Sequence, residues 1–235
     1  VIERARAQGL IHQHRTVPLL EVVADRAEIR PAFNQQEVNY LLEYMQDWER
    51  FGRNQRSNHM RRLCRVYVEF LLGTGIRQGT ESMPIRWKSL QWHLIGEQRY
   101  LRVWVSGKTG PRYLIAKHFV IEALERLIAW QALPYANLDA VIEAKLDRRV
   151  FVFPEGDAPH SLNSVFERLM VESGLFKDTT GKNRTLYSLR HTYATFALAE
   201  GVDIHTLARQ MGTSTLMIER HYSKLTPMMA AEKLA

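Results

Sequence analysis

Apolar residues recur at helical spacing along most of the chain, and this pattern predicts a mainly helical protein. The first long helix is expected after Asn34, because Glu37 follows three positions later and completes a capping box. Further helices are expected from about Asn58 to Leu72, from about His118 to Leu133, and from Ser161 onwards. Glycines divide this last part into separate helices, and they are Gly174, Gly181, Gly201 and Gly212.

Between about Ile85 and Ile115 the apolar spacing changes to two, which is typical of β-strands. The segments RYLRVWV and RYLIA flank SGKTGP, whose glycines indicate a tight turn. The region after Leu133, which includes RVFVFPEGDAPH, is expected to be a loop. The predicted fold class is therefore mainly α (α+β), with a small antiparallel sheet or hairpin.

Residues 1–32 differ in pattern from the rest of the chain. Residues 1–12 suggest a short helical end that stops near Gly9, and Pro18 and Pro31 interrupt the irregular stretch that follows. We therefore expect two parts: the end of a preceding domain with its linker over 1–32, and one domain over 33–235.

The composition changes this picture by suggesting a partner. The net charge is +7, from 32 Lys and Arg against 25 Asp and Glu, and the sequence pI is about 9.6. Such a balance favours a polyanion such as nucleic acid. Cys64 is the single cysteine, so an internal disulfide and a Cys-rich metal site are both excluded, and a reducing cytoplasm fits best. With neither a long apolar run nor a signal peptide, we expect no membrane association.

Four separated segments offer the groups needed to cleave a phosphodiester without a metal. The reaction requires a nucleophile, cations around the phosphate, and an acid for the leaving oxygen. TGIRQGTE carries Arg77 after a helix end, and the turn SGKTGP carries Lys108. TLYSLRHTYAT carries Arg190 at a helix start, and QMGTSTLMIERHYSKL carries Tyr222.

In their order and spacing, these four segments resemble the signature of the tyrosine recombinase (phage integrase) family, over residues 34–226. The family pattern is T-G-[LI]-R, a lysine on a β-hairpin, H-x-L-R-H, and a tyrosine after L-G-H-x9. This sequence has TGIR, GKTG, YSLRH and MGTSTLMIERHY, with nine positions from Thr213 to Tyr222. One such motif would be weak evidence, but four in the family's order are specific.

The resemblance implies a role for each group. Tyr222 would attack the scissile phosphate and form a 3′-phosphotyrosine link, leaving a free 5′-hydroxyl. Arg77 and Arg190 would hold the non-bridging oxygens, since guanidinium groups match phosphate with two hydrogen bonds. Lys108 would protonate the leaving oxygen. No metal, ATP or other cofactor is required, because the covalent link keeps the phosphoester energy.

Two positions depart from the family pattern. Tyr187 stands where the family usually has histidine, and Thr213 stands where it has histidine or tryptophan. Both side chains can donate a hydrogen bond to phosphate and both are included in the candidate catalytic set, but neither is a proton acceptor near neutral pH. Either the cationic site lowers the pKa of Tyr222 directly, or water takes the proton, and we expect slower or more alkaline activity. Glu81 is expected to form a structural salt bridge or cap.

The resemblance also implies partners. We expect double-stranded DNA, a tetramer on DNA from subunits that are monomeric alone, accessory DNA-bending proteins, and a location at the bacterial nucleoid in the cytoplasm. Residues 1–32 would then end a missing N-terminal DNA-binding domain, with the catalytic domain over 33–235. The activity would integrate or excise a mobile element. Candidate DNA-backbone contacts are the RRLCR stretch, Arg86, Lys88, Arg112 and Lys182.

Three other readings remain open at this point. The chain could be a DNA-binding factor of the same fold that has lost catalysis, because both usual histidines are absent. It could be a relaxing enzyme similar to type IB topoisomerases. It could also be a helical protein-interaction module.

Overall fold

The computed structural model describes residues 31–107 and 109–222, and for His221 and Tyr222 the backbone only. The helices are α1 (Gln35–Trp48), α2 (Gln55–Thr74), α3 (Phe119–Trp130), α4 (Leu138–Glu143), α5 (Asn163–Glu172), α6 (Leu186–Ala199), α7 (Ile204–Met211) and α8 (Thr215–Tyr222). The strands are β1 (Leu90–Ile95), β2 (Gln98–Gly107) and β3 (Gly110–Ile115). The predicted mainly helical fold with a small antiparallel sheet is confirmed.

The sheet contains one strand more than the predicted hairpin. Its order is β1-β2-β3, and both pairs are antiparallel. Strand β2 alternates cleanly between buried and exposed side chains, with Leu101, Val103 and Val105 facing the core. Strand β1 lacks this alternation, because several consecutive residues are half-buried and its last two are exposed. The period-two pattern therefore predicted β2 and β3 but not β1.

Helix α2 runs through the centre of the molecule and is buried along most of its length. The Tyr67 and Phe70 rings of this helix meet Phe151 edge-on, at centroid distances of 5.0 and 5.1 Å. A second, smaller apolar cluster joins α6, α7 and α8 through Tyr193, Leu207, Met211 and Ile218. Ile218 thereby anchors the helix that ends at Tyr222 to the rest of the domain.

The ends of the first helices and the region after Leu133 differ in how well they match the expected pattern. The capping box is confirmed, since the Asn34 side chain accepts from the Glu37 backbone N–H at 2.8 Å and the Glu37 carboxylate accepts from the Asn34 N–H. The second helix begins earlier than expected, at Gln55, because Asn54 caps it. The expected loop after Leu133 contains α4, so that assignment was wrong over Leu138–Glu143. Within the described ranges, no helix is both long and apolar enough to cross a membrane.

Candidate active site

Arg77 is positioned by the end of α2. The helix stops at Thr74, and Gly75 closes it in the left-handed conformation, with φ 63° and ψ 14°. A side chain at Gly75 would also collide with the Tyr193 ring, so both the backbone angle and the space require glycine. The chain therefore turns sharply, and Arg77 emerges beside α7 with its side chain 23% exposed.

Arg190 lies in the second turn of α6 and is buried. Its guanidinium donates to the Gly75 carbonyl at 2.6 Å and to the Met211 carbonyl at 2.9 Å. It thus connects the end of α2 to the end of α7. Burial, together with the nearby charge of Arg77, lowers the pKa of Arg190 to about 10. The side chain still carries its charge at neutral pH.

Arg77 and Arg190 meet at the same turn. Gly212 ends α7 in the left-handed conformation, at φ 62° and ψ 51°. Arg77 donates to the Gly212 carbonyl, and Arg190 donates to the adjacent Met211 carbonyl. Two arginines that are more than a hundred positions apart in sequence are therefore neighbours, directly before the helix that carries Tyr222.

Glu81 is the acidic partner of this cluster, and its side chain is only 1% exposed. Its carboxylate lies 2.5 Å from the Arg77 guanidinium and 2.8 Å from that of Arg112. Burial alone would raise the pKa of Glu81, but hydrogen bonds from Arg112 and Arg77 outweigh it and hold the pKa below its usual value. The expected structural salt bridge is confirmed. Arg77, Arg112 and Arg190 together still exceed this one carboxylate, so the cluster is strongly positive.

Lys108 lies outside the described residues, but the residues on either side of it are placed. Gly107 and Gly110 pair across the hairpin between β2 and β3. The Thr109 hydroxyl accepts from Arg77 at 3.4 Å. A side chain added at Gly107 would meet the Glu81 carboxylate at 2.5 Å. Both neighbours of position 108 thus contact the Arg77–Glu81 pair.

Solved structures resemble this chain over most of its described length. The XerH site-specific recombinase in a post-cleavage complex with palindromic difH substrate matches with TM-score 0.61 and 19% identity, over 88% of this chain and 53% of that one. The Tn1549 transposon integrase with circular intermediate DNA matches with TM-score 0.62 and 18% identity, over 100% and 74%. A lambda integrase dimer bound to a COC′ core site matches with TM-score 0.59 and 15% identity, over 94% and 55%.

The chain has the fold of a tyrosine recombinase catalytic domain. It spans about half the length of the XerH chain that it matches. A scan of protein-family models finds no match, and neither does a search of curated proteins.

The remaining candidates lie at the start of α6, on the turn between α7 and α8, and at the end of α8. Thr213 follows Gly212 and is half-buried, and its N–H donates to the Ala208 carbonyl at 2.9 Å. Tyr187 is at the start of α6, is 39% exposed, and stacks edge-on against the buried His191 at 5.0 Å. Tyr222 is the last residue of α8, and its side chain lies outside the described part. Among the described residues, no three His, Cys, Asp or Glu side chains group as a metal site.

The structure corrects several of the candidate DNA-backbone contacts. Arg61 is buried and pairs with Glu172 at 3.2 Å, and Arg65 pairs with Glu49 at 3.3 Å. Arg112 is half-buried, with its side chain 12% exposed, and pairs with Glu81 at 2.8 Å. These three arginines hold protein elements together. They are therefore not available to DNA, contrary to the prediction.

Arg86 and Lys88 remain at the surface. Both side chains pair with Asp147, at 2.8 and 2.9 Å, and all three are more than two-fifths exposed. Their role as DNA-backbone contacts stays a prediction.

Two side chains at this site were not identified from the sequence as contributors to its geometry. Arg112 reaches the turn from β3, and Gln210 reaches β3 from α7. The carbonyl partner of Arg112 on this turn and the Ile115 partner of Gln210 are 95 or more positions away in the chain. A local sequence pattern cannot predict such contacts.

Proposed function

We propose that this chain is a site-specific DNA recombinase that cuts and rejoins strands through a 3′-phosphotyrosine link at Tyr222. The observation that carries the proposal is the meeting of Arg77 and Arg190 on the turn directly before α8. Buried cations fixed on rigid elements stabilise the negative charge that develops on a phosphate during displacement.

The guanidinium groups have donors to spare for such a phosphate. Each carries five N–H donors, more than the carbonyl and carboxylate bonds that Arg77 and Arg190 make in the structure. The backbone carbonyls hold the two groups in place, while the other donors can bind the non-bridging oxygens. Tyr187 and Thr213 would donate further hydrogen bonds from the start of α6 and from the turn before α8.

These proposed roles give the following reaction. The Tyr222 hydroxyl loses its proton to water as its oxygen attacks phosphorus. The bond from phosphorus to the 5′ oxygen breaks, and Lys108 gives a proton to that oxygen. A 5′-hydroxyl of a second strand then reverses the step and restores the phosphodiester. We further propose that the partner is double-stranded DNA, that exchange takes place in a tetramer of subunits that are monomeric alone, that accessory proteins bend the DNA, and that the exchange integrates or excises a mobile element.

The test is covalent capture of DNA. The protein is incubated with a pool of nicked duplexes of random core sequence, in which the short 5′-hydroxyl piece diffuses away after cleavage and traps the adduct. We expect a denaturation-resistant adduct that is absent in Tyr222→Phe and present in Tyr113→Phe, a control at an exposed tyrosine of the sheet. Tight DNA binding without any adduct would instead support a catalytically silent DNA-binding protein.

A second expectation concerns pH. Positions 187 and 213 carry no histidine that could act as a base near pH 7, and an ordinary tyrosine has a pKa of about 10. One duplex recovered from the adducts, called the captured duplex below, serves as the substrate for rate measurements. The rate of adduct formation with the captured duplex should therefore rise between pH 6 and pH 9. Arg190, with its pKa at about 10, remains charged over this interval, so the phosphate clamp does not change. Equal rates at pH 6 and pH 9 would contradict the expectation that Tyr222 reacts without a histidine base.

A further inference from the structure

The β2–β3 hairpin is held against the turn at the end of α7 by two side chains. One is Gln210, whose amide accepts from the Ile115 N–H at 2.9 Å and donates to the Ile115 carbonyl at 2.7 Å. This pair of bonds occupies the open edge of β3 as a neighbouring strand would. These bonds fix Ile115, at the end of β3 that is farther along the strand from Lys108.

The other side chain is Arg112, which lies closer to the hairpin turn. Its guanidinium donates to Glu81 at 2.8 Å, to the Met211 carbonyl at 3.1 Å and to the Gln210 carbonyl at 3.3 Å. It also packs on Gly212, where an added side chain would lie 2.4 Å from the Arg112 guanidinium carbon. A single half-buried side chain therefore joins β3, Glu81 and the turn that Arg77 and Arg190 share.

Arg112 has no free face for DNA. Its side chain is 12% exposed, and all three of its contacts are to the protein. The turn itself is held independently by Arg77 and Arg190, through the Gly212 and Met211 carbonyls. Loss of Arg112 should consequently loosen the part of the hairpin nearest its turn, while Gln210 still holds Ile115 and the turn before α8 stays in place.

We propose that Arg112 is a positioning residue that fixes the hairpin bearing Lys108 against the turn leading to Tyr222. The inference rests on the proposed function. A proton donor has to be within hydrogen-bond reach of the leaving oxygen, and a displacement of about 1 Å can cost about 100-fold in rate. Arg112 thus acts through Lys108 and sets the distance between the acid and the nucleophile helix.

The test replaces the leaving oxygen with sulfur. In an ordinary duplex the 5′ oxygen needs the Lys108 proton as its bond to phosphorus breaks. With a bridging 5′ sulfur the thiolate leaves without that proton, because a thiol has a pKa of about 8.5, far below that of an alcohol. The probe is the captured duplex, prepared in both forms.

We expect Arg112→Gln to slow adduct formation about 100-fold on the oxygen duplex and less than about threefold on the sulfur duplex. Arg102→Gln is the matched control, because Arg102 lies on the outer face of the same hairpin and bonds to Gln91. It should leave both rates unchanged. Equal losses on the two duplexes would overturn the role of Arg112.

A second variant and a hydrogen-exchange measurement separate the role of Arg112 from a failure of the variant to fold. If Arg112→Gln does not fold, Arg112→Lys keeps a cation beside Glu81 but cannot reach both carbonyls, and it gives the same comparison. Amide hydrogen exchange without DNA should be faster over β2 and β3 in the variant and unchanged in α1; unchanged exchange in the hairpin would also overturn the proposal. If wild-type protein forms no adduct on either duplex, the proposed function itself fails, which is a distinct result.

Discussion

Replacing Arg190 with lysine should lower the rate of adduct formation at least about 100-fold, the usual effect of removing one donor from a preorganised anion site. Lysine keeps the charge but loses the planar fork that bonds to the Gly75 and Met211 carbonyls at once. The cation would no longer be fixed between the ends of α2 and α7. The measurement is single-turnover adduct formation on the captured duplex.

A control and a stability measurement separate catalysis from folding. Arg168→Lys changes an exposed arginine on α5 and should leave the rate unchanged. Arg190→Lys also leaves a buried carbonyl without its donor, which costs about 1–3 kcal/mol in the free energy of unfolding. The assay is therefore run well below the melting temperature of the variant. A rate within about threefold of wild type would exclude Arg190 from the phosphate site.

Replacing Glu81 with glutamine should lower the free energy of unfolding by about 3–5 kcal/mol, the usual cost of breaking a buried ion pair on one side. The side chain is only 1% exposed, and the Arg77 and Arg112 cations would face each other without an anion between them. Chemical denaturation at pH 7 measures the change. Asp147→Asn is the matched control, because Asp147 also bridges two cations but is 57% exposed. Its effect should be much smaller, since water screens the pairs.

The same comparison has a defined pH dependence. The folded pKa of Glu81 is held below the ordinary value of 4.5, so the carboxylate stabilises the fold above that value. This stabilisation is lost as the pH falls from 4.5 through the folded pKa. The difference between wild type and Glu81→Gln should therefore shrink in acid. A difference that stays constant down to pH 3 would show that Glu81 does not act through its charge.

Local features of the fold could be predicted from the sequence because their causes are local. The capping box at Asn34 needs only residues three apart, and the alternation in β2 needs only neighbours. Strand β1 could not be predicted in this way, since its burial follows from packing rather than from alternation.

The arginines show that the sequence pattern could not predict which cations are buried. Arg61 and Arg86 both looked like surface cations, yet Arg61 is buried against Glu172, which is 111 positions away, while Arg86 stays at the surface. The four ordered segments did predict a shared site, and the structure brings Arg77 and Arg190 to one turn. The contacts by which Arg112 and Gln210 hold the hairpin against the end of α7 depend on partners distant in sequence. The catalytic role of each residue stays a prediction.

The most direct test of the central claim is to identify the residue that carries the DNA. Wild-type protein is trapped on the captured duplex, both components are digested, and the peptide that bears a nucleotide is sequenced by mass spectrometry. We expect a 3′-nucleotide joined to the Tyr222 oxygen, within the peptide that spans the end of α8. A nucleotide on any other residue would contradict it, and so would cleaved DNA with no protein attached.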